Sequence, residues 1–94
     1  MRLADFELSL ANLKNNFQIF FESQGQLLPI VSIKRMTQGV VLSAVPVGTP
    51  LTLEQLSKGF LSLTDDHAQV LIASAGQEHL VFGYRLTQTK ILIS

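Results

Sequence analysis

The sequence has no cysteine, few charged residues and no long apolar run. Charged residues make up 15% of its 94 positions, seven basic and seven acidic, so the formal net charge is zero. Without cysteine the chain has no disulfide bond, no thiolate nucleophile and no cysteine-ligated zinc site. Without excess positive charge it lacks the electrostatic footprint of a general nucleic-acid binder. Nucleic acid is therefore disfavoured as a partner.

Membrane-spanning and secretory segments are also missing from the sequence. No uninterrupted apolar run approaches the roughly 20 residues that a membrane-spanning helix needs. Near the N-terminus, Asp5 and Glu7 stand where a signal peptide would have its apolar core. We therefore expect a cytoplasmic protein with no membrane partner, and the initial Met1 leads us to expect the whole natural chain.

What the sequence does contain is an internal repeat. A shift of 50 residues aligns the first apolar segment with a later one, and a shift of 51 then holds to the end. The first matching pairs are Leu3/Leu53, Phe6/Leu56, Leu10/Phe60 and Leu13/Leu63. The pattern predicts one domain, residues 1–94, made of two repeats (about 1–45 and 51–94) joined by a Pro/Gly linker at 46–50. Each half is too short to bury a core alone, so the halves share one or exchange with a second chain.

Hydrophobic periodicity predicts an α+β fold with the order αβββ-αβββ. The predicted helices cover 3–14 and 53–63, and the predicted strands cover 17–22, 27–35, 40–45, 68–74, 79–86 and 90–93. Thr52 and Gln55 form a capping-box pattern at the second helix. Ser9 and Gly59 are small at equivalent helix positions, which predicts close packing there. Short hairpins imply antiparallel pairing. We expect either one antiparallel sheet with both helices on one face, or two three-stranded sheets about a pseudo-twofold axis.

Strand alternation places apolar residues on both faces of the predicted sheet. The face toward the helices would carry Ile19, Phe21, Val31, Ile33, Val70, Ile72, Phe82 and Tyr84. The other face would carry Phe20, Leu28, Val41, Leu71, Val81 and Leu92. A second apolar face is either buried within the chain or offered to a partner, and the sequence leaves both open. If it binds, we expect the interface at Phe20, Val41, Leu71 and Leu92.

Basic residues at equivalent strand positions suggest a second kind of site. Lys34 and Arg85 match under the shift of 51, and Tyr84 precedes Arg85. Together they could contact an anion or line a ligand cleft between the repeats. The alternative is that they are ordinary solvated residues that protect a strand edge.

Catalytic motifs are absent from the sequence. It contains no Gly-rich phosphate loop, nucleophile elbow or HExxH pattern, and Asp65-Asp66-His67 is better interpreted as a turn than as a metal site. We expect no catalytic residue, metal or cofactor. The expected function is a non-catalytic protein-interaction or assembly module, self-associating as a homo-oligomer or binding a protein partner through the apolar sheet face or an edge strand. The alternative is a small-ligand-binding protein that uses the cleft.

Overall fold

Each of two helices is followed by a run of strands, three after the first and four after the second, in a computed structural model that describes residues 1–62 and 67–94. The helices are α1 (Leu3–Leu10) and α2 (Leu53–Leu61). The strands are β1 (Gln18–Ser23), β2 (Gln26–Met36), β3 (Gly39–Ala44), β4 (Val70–Ser74), β5 (Gln77–Leu80), β6 (Tyr84–Leu86) and β7 (Lys90–Ile93). The α+β class is therefore confirmed. The predicted strand 79–86 is replaced by two short strands, β5 and β6.

The start of α2 follows from local sequence chemistry. The Thr52 hydroxyl accepts a hydrogen bond from the Gln55 amide at 3.2 Å, and the Gln55 side chain accepts one from the Thr52 amide at 2.9 Å. This reciprocal capping box satisfies two amides that an open helix end would leave unpaired. Helix α1 has no side-chain cap. Its Leu3 amide instead donates to the Ala68 carbonyl at 2.8 Å, so a contact from the other half of the chain takes the place of a cap.

Tight turns join the strands of each hairpin. Gly25 and Gly76 both have φ of +77°, and the residues before them, Gln24 and Ala75, are also left-handed. Two consecutive residues with positive φ match the twist of an antiparallel hairpin. The predicted antiparallel pairing is accordingly observed between β1 and β2, between β2 and β3, and between β4 and β5.

The strands form one sheet in the order β5-β4-β3-β2-β1-β7-β6. Two of its neighbouring pairs, β3 with β4 and β1 with β7, are parallel. The expectation of a purely antiparallel sheet is therefore wrong, and the sheet is mixed. Hairpins can only set the pairing of strands that are close in sequence, whereas both parallel pairs join strands from different halves of the chain.

The sheet is curled, because its two end strands are neighbours in sequence. β5 and β6 stand at opposite ends of the strand order, yet only Val81, Phe82 and Gly83 separate them. That connection spans at most about 14 Å when fully extended. The two ends of the sheet must therefore come close together, and the seven strands wrap around a common interior.

The core lies on one side of this curled sheet, together with the buried faces of both helices. Its strand residues include Ile19, Phe21, Ile30, Val40, Leu42, Val70, Ile72, Ile91 and Ile93, and Val81 joins them from the connection between β5 and β6. Its helix residues are Leu3, Phe6, Leu10, Leu53, Leu56 and Phe60. The rings of Phe6 and Phe60 meet edge to face, 5.8 Å between centroids and 78° between planes, so the two helices pack through a shared aromatic contact.

The predicted alternation fails along the strands that correspond to 27–35 and 79–86. Val81 and Leu28 were expected on the outer face, but Val81 is buried in the core and Leu28 packs against it. Phe82 was expected inside and is exposed. The physical reason is a register shift between Ile30 and Ser32 in β2, and the break between β5 and β6. Residues before each irregularity therefore alternate in the opposite phase to those after it, so a single alternation fitted to Ile33 and Tyr84 assigns Leu28, Val81 and Phe82 to the wrong side.

Close packing at Gly59, expected from its small size, is present in the structure. A Cβ atom added at Gly59 would lie 2.7 Å from Cγ2 of Ile33. At the equivalent helix position, the Ser9 carbonyl accepts a hydrogen bond of 2.7 Å from the Tyr84 hydroxyl. Helix α2 therefore leaves no room for a larger side chain at position 59. Ser9 is exposed and is reached by the long Tyr84 side chain, so the close packing expected there is not observed.

Candidate interaction surface

The four residues expected at an interface lie at two places where strands from different halves meet. Phe20 stands opposite Leu92 across β1 and β7, and Val41 stands opposite Leu71 across β3 and β4. Val41, Leu71 and Leu92 are buried within the single chain. Phe20 is partly exposed, and the Lys90 ammonium lies 5.5 Å from its ring centroid. In this conformation Phe20 is therefore the member of the set with the most surface left for a partner.

The three residues expected to contact an anion or ligand have separate surroundings. Arg85 donates from Nε to the Glu22 carboxylate at 2.8 Å and from Nη2 to its second oxygen. Tyr84 donates its hydroxyl proton to the backbone of α1. Lys34 is exposed and stands opposite Val41. These contacts do not bring the three side chains together around one cleft.

The paired hydrogen bonds between Arg85 and Glu22 change the acidity of the carboxyl group. The hydrogen bond from Arg85 is the main cause that lowers the pKa of Glu22 from its ordinary value of 4.5; desolvation opposes the shift, and the charge of Arg85 adds to it. The same contact raises the pKa of Arg85. Both side chains face solvent, so we expect the pair to fix the position of Arg85 and to add little to stability.

Replacing Arg85 with glutamine is expected to raise the pKa of Glu22 toward 4.5, because the charged donor that favours the carboxylate is removed. Since the folded-state pKa is depressed, the pair's contribution is present above pH 4.5 and is lost as pH falls through the folded value. NMR titration of the Glu22 carboxyl carbon measures this directly. Lys34→Gln is the matched control, and an equal pKa in wild type and Arg85→Gln would contradict the pairing.

An exposed apolar surface lies on β5 and the residues that follow it. Leu80 and Phe82, which we call the β5 patch, are 49% and 82% exposed. Val81 between them is buried in the core, so both flanking side chains point outward. Leu80 pairs with Leu71 of β4, which points to the same side of the sheet but is buried. The β5 patch was not foreseen, and the run Leu80-Val81-Phe82 beside Gly83 was the sequence signal that could have revealed it.

The corresponding stretch of β2 carries a covering segment. Under the shift of 51, Pro29 and Val31 are the equivalents of Leu80 and Phe82. Pro29 pairs with Phe20, as Leu80 pairs with Leu71. The Val45 amide donates to the Pro29 carbonyl at 3.1 Å. A Cβ atom added at Gly48 would lie 2.9 Å from Cγ1 of Val31. Gly48, within the linker segment of residues 45–50, therefore packs directly on Val31, while the hydrogen bond from Val45 continues the β2–β3 ladder.

A groove runs between the two helices on another part of the molecule. Its volume is about 460 Å³. It is lined by Glu7, Leu10, Ala11, Leu13, Asn15, Leu53, Glu54, Ser57, Lys58, Phe60 and Leu61. Glu54 and Lys58 form an ion pair of 3.4 Å on its α2 side. None of the predicted ligand contacts lines this groove, and it combines an apolar floor with charged groups at the rim.

Among residues 1–62 and 67–94, no group of three or more His, Asp or Glu side chains is placed to hold a metal ion. Asp65 and Asp66 of the predicted turn lie outside the described residues, and His67 is exposed. The His79 ring packs against Phe21 with 5.3 Å between centroids. Within the described chain, the buried side chains include no polar or charged residue.

Neither helix in the described part of the chain is long and apolar enough to cross a membrane. Comparisons with known protein families, curated proteins and solved structures found no match for this chain. Its function must therefore be argued from its own surface.

Proposed function

We propose that this protein is a non-catalytic interaction module that self-associates through the β5 patch. The observation that carries the proposal is the exposure of Phe82, 82% of whose surface faces solvent beside the half-exposed Leu80. Burying a side chain of either type stabilises a complex by about 1.5–3 kcal/mol. Leu71, which stands opposite Leu80, belongs to the interface expected from the sequence.

Side chains are better suited than a free strand edge to make this contact. The two strands at the ends of the sheet order are short, four residues in β5 and three in β6. Short, strongly curled end strands are poor templates for adding a strand from another chain. We therefore place the interface on the outer side chains of β5.

The proposal includes descent of the fold from a duplicated αβββ unit with pseudo-twofold symmetry. The strand registers support it. The β1–β7 ladder contains the pairs Ile19↔Ile91 and Phe20↔Leu92. When each residue is replaced by its equivalent 51 positions away, these become Val70↔Val40 and Leu71↔Val41, which are pairs of the β3–β4 ladder. The bridges Arg2↔Gln69 and Thr52↔Gln18 correspond in the same way. In this interpretation β2 is the counterpart of β5 and β6 together.

The solution molar mass, measured by light scattering across a concentration series, tests the proposed function. We expect the mass to rise above 10.4 kDa toward that of a dimer as concentration increases. Phe82→Asp should shift this rise to at least about 10-fold higher concentration, because a buried charge without a partner opposes association.

The matched control is Leu61→Asp, which introduces the same charge at an equally exposed leucine on α2, 84% of whose surface faces solvent. It should leave the concentration dependence within about twofold of wild type. A monomer mass at all concentrations up to the millimolar range, or equal effects of the two substitutions, would rule out self-association through the β5 patch.

Binding of a small molecule between the helices is the second candidate, favoured by the volume and mixed lining of the groove. A ligand that binds the folded state would raise the midpoint of thermal unfolding. We expect a fragment-sized compound with a basic group to stabilise wild type but not Ser57→Trp, in which the indole would fill the groove. If every stabilising compound acts equally on both proteins, the groove is not the binding site.

A further inference from the structure

We infer that two copies of this chain associate by exchanging halves, so that residues 1–45 of each copy pack on residues 51–94 of the other. The interface is the one that already joins the two halves within a single chain. A second copy presents the same strands and helices, so the fit between the surfaces is the one that the fold itself displays. The inference goes beyond the self-association proposed above, because it does not use the β5 patch.

The two halves meet along two seams of the sheet, and no turn connects the strands at either seam. β3 lies parallel to β4 at one seam, and β1 lies parallel to β7 at the other. Each seam therefore pairs a strand of residues 1–45 with a strand of residues 51–94. Since the hydrogen bonds of a parallel ladder need no direct connection between its strands, a strand from a second copy makes the same bonds.

The start of each helix is also held by the opposite half of the chain. For α1, the Leu3 amide donates to the Ala68 carbonyl at 2.8 Å, and the Met1 carbonyl accepts from the Val70 amide at 2.8 Å. The residues that begin the first half are therefore bound by the strand that begins the sheet of the second half.

Helix α2 repeats this arrangement in the opposite direction. The Leu53 amide donates to the Phe17 carbonyl at 2.8 Å, and the Leu51 carbonyl accepts from the Ile19 amide at 2.9 Å. These four residues are the equivalents of those around α1 under the shifts of 50 and 51. Each half thus gives the start of a helix and receives one. Such a reciprocal contact is the pattern of an isologous interface between two copies in a symmetric dimer.

A single segment, residues 46–50, keeps both halves in one copy. Within the described chain, no backbone hydrogen bond involves these residues, and Gly48 packs on Val31 of the first half. Residues 46–48 bend in the closed chain, whereas the two prolines of the segment bias the residues before them toward an extended backbone. Exchange therefore gives up few contacts and lets the segment straighten.

Closure within one copy competes with exchange between copies. Each half is too short to bury a core alone, so an opened copy has to pair with its own other half or with a second copy. A short flexible connection gives its ends an effective concentration in about the millimolar range. We therefore expect exchange to be minor well below ~1 mM protein and to grow as the concentration approaches that value.

A disulfide across one seam tests the inference. Ser43 of β3 and Ala73 of β4 are Cα partners, and neighbouring strands lie about 4.8 Å apart, within the range that a disulfide bridges. Because the chain has no cysteine, Ser43→Cys/Ala73→Cys introduces one pair alone. The reduced variant is unfolded in urea, refolded at increasing concentrations and then oxidised. On a denaturing gel without reductant, a closed copy runs as a monomer, whereas exchanged copies run as a covalent dimer.

We expect the fraction of covalent dimer to rise with the refolding concentration. Ala73→Cys/Glu78→Cys is the matched control, because these residues pair within the second half and their disulfide stays in one copy in either state. Monomer alone at every concentration would overturn the exchange, and so would an equal fraction of dimer in the control. A dimer held by the β5 patch keeps each cysteine pair in one copy and runs as a monomer, so failure of the exchange leaves the proposed function untouched.

A change in the connecting segment gives a second measurement. A Cβ atom added at Gly48 would lie 2.9 Å from Cγ1 of Val31 and 3.0 Å from Cγ2 of Val45, so Gly48→Val strains the closed segment. In the seam variant it should lower the concentration at which half of the chains are dimeric by at least about fivefold. Gly83→Val is the control, since nothing lies within 4 Å of its added Cβ atom. Equal effects of the two substitutions would overturn the exchange through residues 46–50.

Discussion

Replacing Phe6 with alanine is expected to lower the free energy of unfolding by about 3–5 kcal/mol, the usual result of removing a fully buried phenylalanine. Phe6 has no exposed surface and packs edge to face on Phe60. The substitution removes both the buried ring and the contact that joins the two helices. A chain of this length has a total stability of about 5–14 kcal/mol, so the loss is a large fraction of it. Urea unfolding followed by circular dichroism measures the change.

Leu8→Ala is the control for Phe6→Ala, since it shortens an apolar side chain on the same helix at a position that is 77% exposed. It should change the free energy of unfolding by less than about 0.5 kcal/mol. A loss below about 1 kcal/mol for Phe6→Ala would mean that the helices do not pack as described. Equal losses for the two variants would mean that the burial of Phe6 does not account for its effect, because alanine is the better helix former at both positions.

The second large effect is expected at Gly39, where alanine should lower the free energy of unfolding by about 2–5 kcal/mol. Gly39 has φ of +143°, and an added Cβ atom would lie 2.5 Å from the carbonyl oxygen of Gln69. That carbonyl also accepts a hydrogen bond from Val40 at 2.9 Å, so it has little freedom to move. The substitution would strain the backbone and push apart β3 and the residue that leads into β4.

Gly76→Ala separates the effect of backbone strain from that of the close approach to Gln69. Gly76 also has positive φ, +77°, but nothing lies within 4 Å of its added Cβ atom. It should therefore show the backbone effect alone, a loss of about 1 kcal/mol. Chemical denaturation of the two variants under the same conditions gives the comparison. If Gly39→Ala is no less stable than Gly76→Ala, the close approach to Gln69 does not exist in solution.

Local features of the fold could be predicted from the sequence because they depend on neighbouring residues. The capping box at Thr52 and Gln55 marks the start of α2, and the gaps left between the predicted strands at 23–26 and 75–78 contain the observed turns at Gly25 and Gly76. Apolar spacing also identified the buried residues of both helices. In each case the physical cause lies within a few positions along the chain.

The sequence could not predict which distant strands pair, nor on which side of the sheet the residues of two strands point. Nothing near β1 specifies that its second neighbour is β7, because a parallel pair has no connecting turn. A single register shift after Ile30 then reversed the expected side of the residues around Val31. The equivalent reversal placed Phe82 outside, so the main residue of the candidate site was missed for the same reason.

The pairing of β1 with β7 also has a consequence for the order in which the chain folds. It joins Gln18 to Lys90, so nearly the whole chain must be synthesised and ordered before this ladder can form. The β1–β2 and β2–β3 hairpins, in contrast, close over a few residues and can form within microseconds. Their proportion of distant contacts places mixed domains between the fast helical bundles and the slow all-β domains in folding rate. Until β7 arrives, the edge of β1 is unpaired, which makes the interval before its arrival the time when the chain is most exposed to aggregation.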